Sequence, residues 1–282
     1  MYPIFIRIGD FAIRWYGVMI ALAVIIGIIY SHKEFKKLGI SDDTFYDYVI
    51  WLIISGVIGA RIFYILFNTP LYYITHPLRI LYIWEGGLSY LGIVVFGYIF
   101  SYYYWKRKGF NFYKVTDIVA VTLALGWGIG RIGCTLNGCC YGKPTGLPFP
   151  FSITFTDPES FAPIGVPRYP TQPLLSILGF ITFFILIRYK KRAKVDGAIF
   201  SLFLVLYGIS TFFVEFLRGD HIPIFGLTAS QWGCFIIFIF AYLFYRSSPT
   251  LKHENEKVEN QNPNPSELNA DDSEEKRETE ES

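Results

Sequence analysis

Five ionisable side chains, Arg14, Arg61, Arg131, Glu215 and Arg218, fall within or at the edges of long apolar runs in a chain of 282 residues. A charge at membrane depth costs at least ~2.5 to 3.5 kcal/mol on insertion scales, so each of them needs a partner or a task. Taken singly, each suits a snorkelling side chain or a helix-to-helix ion pair. Taken together they suit an anionic lipid headgroup, because a planar guanidinium grips phosphate oxygens in pairs and does so more strongly in a partly dry site. Arg131 is the most suggestive of the five. It stands in GWGIGRIGCTLNGCCYGKPT, where the glycines let a phosphate or a neighbouring helix approach the backbone, and Asn137 and Gly138 follow with an amide and a turn-permissive residue.

Other readings of the same stretch are weaker. Gly128, Gly130 and Gly133 spell G-x-G-x-x-G, but that dinucleotide fingerprint needs a strand before it and a helix after it. Here it ends an apolar run and enters a loop rich in cysteine and proline. Cys134, Cys139 and Cys140, with Cys234 further on, read most simply as a structural disulfide with a distant partner. Their spacing is not the common zinc pattern, no histidine is near in sequence, and thiol exchange lacks a C-x-x-C. Glu215 and Arg218, three apart, share a helix face and can pair with each other. IWEGGLSYLG brings Glu85, Ser89 and Tyr90 beside paired glycines, and RYPTQP places Gln172 at a helix start.

The elements that must carry these residues cross a bilayer. The chain is 52% hydrophobic and 19% aromatic, more than a soluble domain needs. Seven apolar runs, near 11–30, 46–67, 88–105, 115–133, 172–189, 197–217 and 229–246, are long enough to span about 30 Å of hydrocarbon. The first run has no cleavage pattern after it and reads as a true membrane helix. YYYW at 102–105 reads as an interfacial aromatic belt. From Ser247 the chain has no aromatic residue and four bases against eleven acids, so residues 247–282 read as a disordered tail and 1–246 as one membrane domain. The remainder is strongly basic, and its basic loops, HKEFKK, KRK and RYKKRAK, alternate with poor ones. The positive-inside rule then puts the N-terminus outside, the tail in the cytoplasm, and loops 68–87, 131–171 and 218–228 on the outer face. The fold class predicted is an all-α integral membrane protein, a bundle of seven transmembrane helices with extracytoplasmic loops.

In order along residues 1–246, RWYGVM, GARIFYILF, WEGGLSYLG, GRIG with its following NG and G, YPTQ, and YG through FFVEFLR together resemble the bacterial prolipoprotein diacylglyceryl transferases. The resemblance implies transfer of the diacylglyceryl group of phosphatidylglycerol to the lipobox cysteine thiol of a preprolipoprotein, at the bacterial inner membrane. It implies membrane lipids as partners, and no metal, cofactor or nucleic acid. Carried over residue by residue, Arg131 matches the arginine that binds the lipid phosphate. Asn137, Gly138 and Gly142 match the rest of that signature, Tyr16 the first-helix tyrosine, and Glu215 and Arg218 the acid and arginine of the sixth span. Arg61 supports charge, Tyr90 stands near the chemistry, and Gln172 lies in the YPTQ motif. The chain departs from the family at Leu91, where a histidine proposed as general base is usual, and at Thr211, where an arginine is usual; Tyr90, Glu85 or Arg61 are candidates to compensate. The cysteines lie outside the common pattern. Two other readings are a lipid-binding paralogue without this chemistry and a membrane thiol oxidoreductase built on the three loop cysteines.

Overall fold

A computed structural model of the chain describes residues 2–9, 11–68, 70–82 and 86–251; Glu85 and residues 252–282 of the acidic tail lie outside the described residues. An antiparallel hairpin comes first, β1 (Ile4–Ile8) against β2 (Phe11–Arg14), turning at Gly9, whose φ of +59° suits glycine. This corrects the expectation of a helix from residue 11. Phe11–Arg14 pairs with IFIRI, with a register shift between Ile4 and Ile6, and the helix starts only at Trp15.

Eight α-helices follow among the described residues: α1 (Trp15–Lys37), α2 (Asp42–Asn68), the short α3 (Pro70–Thr75), α4 (Tyr90–Arg107), α5 (Phe112–Asn137), α6 (Thr171–Lys190), α7 (Ala198–Glu215) and α8 (Ala229–Arg246). Six of them, α1, α2, α5, α6, α7 and α8, are long and apolar enough to cross a membrane. The expected seven become six by that measure. α4 falls short because its second half, SYYYWKR, exchanges aliphatic residues for tyrosines and bases.

Helix α5 is the axis of the bundle, packed on α1, α6 and α7. Missing side chains allow this. A Cβ on Gly179 of α6 would lie 2.7 Å from the Gly128 nitrogen, so the two backbones touch, and the Ser176 hydroxyl donates to the Gly128 carbonyl at 2.8 Å. On the α1 side, a Cβ on Gly133 would sit 3.2 Å from the Tyr16 Cα. Helices α2 and α4 form a second close pair, where any side chain on Gly92 would strike the Gly59 carbonyl.

The main apolar core gathers at the end of the bundle that carries the basic loops. Phe35, Phe45, Trp105, Phe112, Leu186 and Phe244 pack together there. Trp105 is fully enclosed while Tyr103 is 57% exposed, so YYYW is partly core and only partly the expected belt. The outward faces of the helices keep aliphatic side chains uncovered, Ile25 and Ile29 on α1 and Ile236 and Ile239 on α8 among them, as a lipid-facing surface requires.

The same end contains a buried cap. Asp117 of α5 accepts backbone N–H bonds from Gly197 at 2.8 Å and Phe200 at 2.9 Å, satisfying the first turn of α7 from a neighbouring helix. Asp117→Ala is expected to lower stability by about 1 to 2 kcal/mol, read as a lower midpoint of thermal unfolding in detergent; an unchanged midpoint would remove the capping role.

Candidate anion site at the loop-covered end

The opposite end is roofed by the hairpin and by the segments 76–82, 86–89, 138–170 and 216–228, and Arg14, Tyr16, Arg61, Tyr90, Arg131, Asn137, Gln172, Glu215 and Arg218 come to it. The roof is pinned by short extended pairings, Gly142 with Arg218 and Arg168 with both Pro144 and Ile153. The structure sorts the candidates into those that hold this roof and those left facing the space beneath it.

Most of the expected headgroup ligands prove to hold the roof. Arg61 is buried and donates to four carbonyls, Ile80 at 2.9 Å, Gly86 at 2.8 Å, Gly87 at 3.1 Å and Arg79 at 2.6 Å, with its guanidinium over the Tyr73 ring. Arg14 donates to Asn137 Oδ1 at 3.0 Å and to the Glu159 carbonyl at 3.2 Å, and stacks on Phe161. Asn137 is therefore already engaged through its oxygen. Gly138 caps α5 at φ +76°, where a side chain would strike Ser160. Gly142 crosses against the Tyr169 carbonyl with no room for a Cβ. Gln172 is fully buried and donates to the Cys139 carbonyl at 2.8 Å. These contacts share one feature: sequence shows that a polar group is at hand, while only the fold shows which oxygen of the protein it meets.

Glu215 and Arg218 do pair, at 3.2 Å, as their spacing predicts. The pair belongs to a larger network. Arg218 forms a second, bidentate bridge to Asp220 at 3.0 and 2.8 Å, and its Nη2 donates to His221 Nε2 at 3.1 Å. Since a guanidinium has only donors, Nε2 accepts and the proton of the ring sits on Nδ1, facing Glu215 Oε1. Thr228, at the start of α8, donates to the same carboxylate oxygen at 3.0 Å. His221 and Asp220 were missed in the sequence; the signal available was RGDH, immediately after Glu215.

Arg131 is different. Among the described residues its guanidinium has no hydrogen-bond or ion-pair partner within the protein, and it is only half-buried. It lies within electrostatic reach of Tyr16, Tyr90 and Cys140, and Tyr207 faces Tyr90. One turn earlier, Trp127 packs its ring 4.9 Å from Tyr207 and leaves its indole N–H unpartnered, as does the buried hydroxyl of Thr211. So Arg131, two tyrosines and two unsatisfied donors border one region between α1, α4, α5 and α7. Leu91, in the place of the usual family histidine, is exposed.

The expected disulfide is not formed. All four cysteines are free, and the sulfurs of Cys134, Cys139 and Cys140 cluster beside Arg131 while Cys234 is buried in α8.

A helical membrane protein with a bare guanidinium at its loop-covered end is equipped to hold an anion at the bilayer surface. The chain belongs to the prolipoprotein diacylglyceryl transferase family, whose model matches residues 3–246. It is 38% identical over 220 residues, 78% of this chain and 86% of the relative, to the phosphatidylglycerol–prolipoprotein diacylglyceryl transferase of Clostridium tetani (strain Massachusetts / E88). Likewise it is 34% identical over 260 residues, 89% of this chain and 96% of the relative, to the protein of that name from Ligilactobacillus salivarius (strain UCC118). The Finegoldia magna protein is 37% identical over 220 residues, 78% of this chain and 84% of its own length.

The two kinds of arginine separate experimentally. Arg61→Ala strands four carbonyls and is expected to cost at least about 3 kcal/mol, whereas Arg131→Ala leaves no group unpaired and should unfold at the temperature of the unaltered protein. Thermal unfolding of both variants in one detergent checks this, and equal losses would contradict it.

Proposed function

We infer that this chain transfers the diacylglyceryl group of phosphatidylglycerol to the lipobox cysteine thiol of preprolipoproteins, the first step of lipoprotein maturation. The observation that carries the reading is Arg131, a guanidinium without a counter-ion among the described residues, inside the glycine-rich GWGIGRIG stretch. The sulfur attacks a glycerol carbon, the carbon–sulfur bond forms as the carbon–oxygen bond to phosphate breaks, and glycerol phosphate departs with the electron pair. Charge grows on the phosphate oxygens as the bond breaks. Arg131 stabilises it where the acyl chains and the roof keep bulk water away.

Tyr16 and Tyr90 are placed to donate to the headgroup beside Arg131, and the unpaired N–H of Trp127 and O–H of Thr211 offer further donors. Arg218, shared with Glu215 and Asp220, adds positive field and fixes His221. Because Leu91 stands in the usual imidazole position and both ring nitrogens of His221 are engaged by Glu215 and Arg218, the thiol reacts from its thiolate fraction, a few per cent near neutrality at an ordinary pKa of ~8.5, with its proton released to solvent, and His221 acts by holding Arg218 and Glu215 in place. Arg61, Asn137, Gly138, Gly142 and Gln172 act by shaping the roof.

For the membrane arrangement, α4 is a seventh crossing: 18 residues reach ~27 Å, and its pairing with α2 supplies the apolar surroundings that its own composition lacks. The seven crossings α1, α2, α4, α5, α6, α7 and α8 then alternate in direction, with the N-terminus and the roof outside and the acidic tail after residue 246 in the cytoplasm, as the basic loops favour.

Protein reconstituted in vesicles containing phosphatidylglycerol, with a reduced lipobox peptide, is expected to give a diacylglyceryl thioether by mass spectrometry, and none in vesicles of phosphatidylethanolamine alone. Arg131→Ala should lower turnover at least about 100-fold, and His221→Gln, which removes a positioning contact to Glu215 and Arg218, should lower it by less than that. Normal turnover in either variant would remove that residue's role, and no thioether from the unaltered protein would remove the activity.

A further inference from the structure

Three thiols beside Arg131 have no part in the transfer. Cys134 lies in the last turn of α5, Cys139 and Cys140 follow its end, and the three sulfurs lie within 4.8 Å of one another. The backbone is built to hold them so. The left-handed turn at Gly138 folds the chain back over the helix end, and Cys140 itself adopts φ +60°, a conformation that residues other than glycine take at a cost and that clusters at ligand sites. Two buried side chains of α6 lock the returning strand: Thr171 Oγ1 donates to the Cys140 carbonyl at 2.9 Å, and Gln172 Nε2 to the Cys139 carbonyl at 2.8 Å. Three thiolates around one ion with metal–sulfur bonds of ~2.3 Å stand ~4 Å apart, a separation this cluster meets.

Positive charge stands beside the sulfurs, since Arg131 and Arg218 both lie within electrostatic reach of Cys140. No histidine or carboxylate among the described residues joins the three sulfurs, so the four-coordinate shell that zinc prefers is not provided by the protein. Soft three-sulfur sites select monovalent d10 ions.

We propose that Cys134, Cys139 and Cys140 bind one soft monovalent d10 metal ion, such as cuprous copper, through three thiolates, releasing three protons to solvent. The loaded cluster carries two net negative charges and faces two guanidiniums. Its formation involves no lipid and no transfer step.

Full-length protein, reduced with a phosphine under anaerobic conditions in detergent, would be titrated with Cu(I) against a chromophoric chelator. One equivalent is expected to bind, with a thiolate-to-copper absorption band and protection from alkylation of Cys134, Cys139 and Cys140. Serine at any of the three should weaken binding by about 100-fold or more, and Cys234→Ser should leave it unchanged. Binding no tighter than in the triple serine variant, protection mapping to other thiols, or zinc held more tightly than copper would each overturn the proposal. The alkylation map is read on the unaltered chain, so poor folding of a variant does not decide the outcome.

Discussion

A guanidinium near hydrocarbon has to find oxygen, and the loop-covered end of this protein is organised by that requirement. Arg14 finds the amide of Asn137, Arg61 a ring of carbonyls, Arg168 the carbonyl of Gly142, and Arg218 two carboxylates. Arg14 and Arg61 tie roof segments to helix ends and Arg168 ties the 138–170 loop to itself, so the cations act as fasteners of the roof. Arg131 is the exception among the described residues, since its guanidinium meets no such oxygen. One deficit is thus left in an otherwise satisfied set.

Placing that deficit depends on backbone contacts in the middle of the membrane. With Gly128 and Gly179 in contact and Gly133 under Tyr16, α5 stands at the centre of the bundle and its last turn emerges among α1, α6 and α7. Larger residues at these positions would force the helices apart, and the loss would appear at Arg131, less than one turn away. Packing between small residues and headgroup chemistry are here consecutive links of one chain of cause.

The sequence displayed the apolar runs, the special standing of Arg131 and the Glu215–Arg218 pair, because each follows from local composition or helical spacing. It did not display the β1–β2 hairpin, hidden by apolar residues that suit strand and helix alike. Arg61 and Gln172 were legible as polar groups at the right end but not as roof supports, since their partners are backbone carbonyls that any residue offers. His221 escaped because its role comes from Glu215 six residues earlier and from Arg218, a coincidence of loop geometry. The cysteines suggested a disulfide by compartment, while the fold instead gathers three sulfurs from a helix end and the strand that returns over it.

The aromatic cluster around Trp105 has a mechanical meaning. It pins α1, α2, α4, α5, α6, α7 and α8 together at one end, leaving the far ends of the same helices to be held mainly by loops. A helix of 26 residues is ~39 Å long, so a tilt of ~3° about the pinned end displaces the other by ~2 Å. The cluster is a pivot and the helices are levers. A rotation that small at a rigid fulcrum would amount to an opening of atomic size around Arg131 while the core stayed packed.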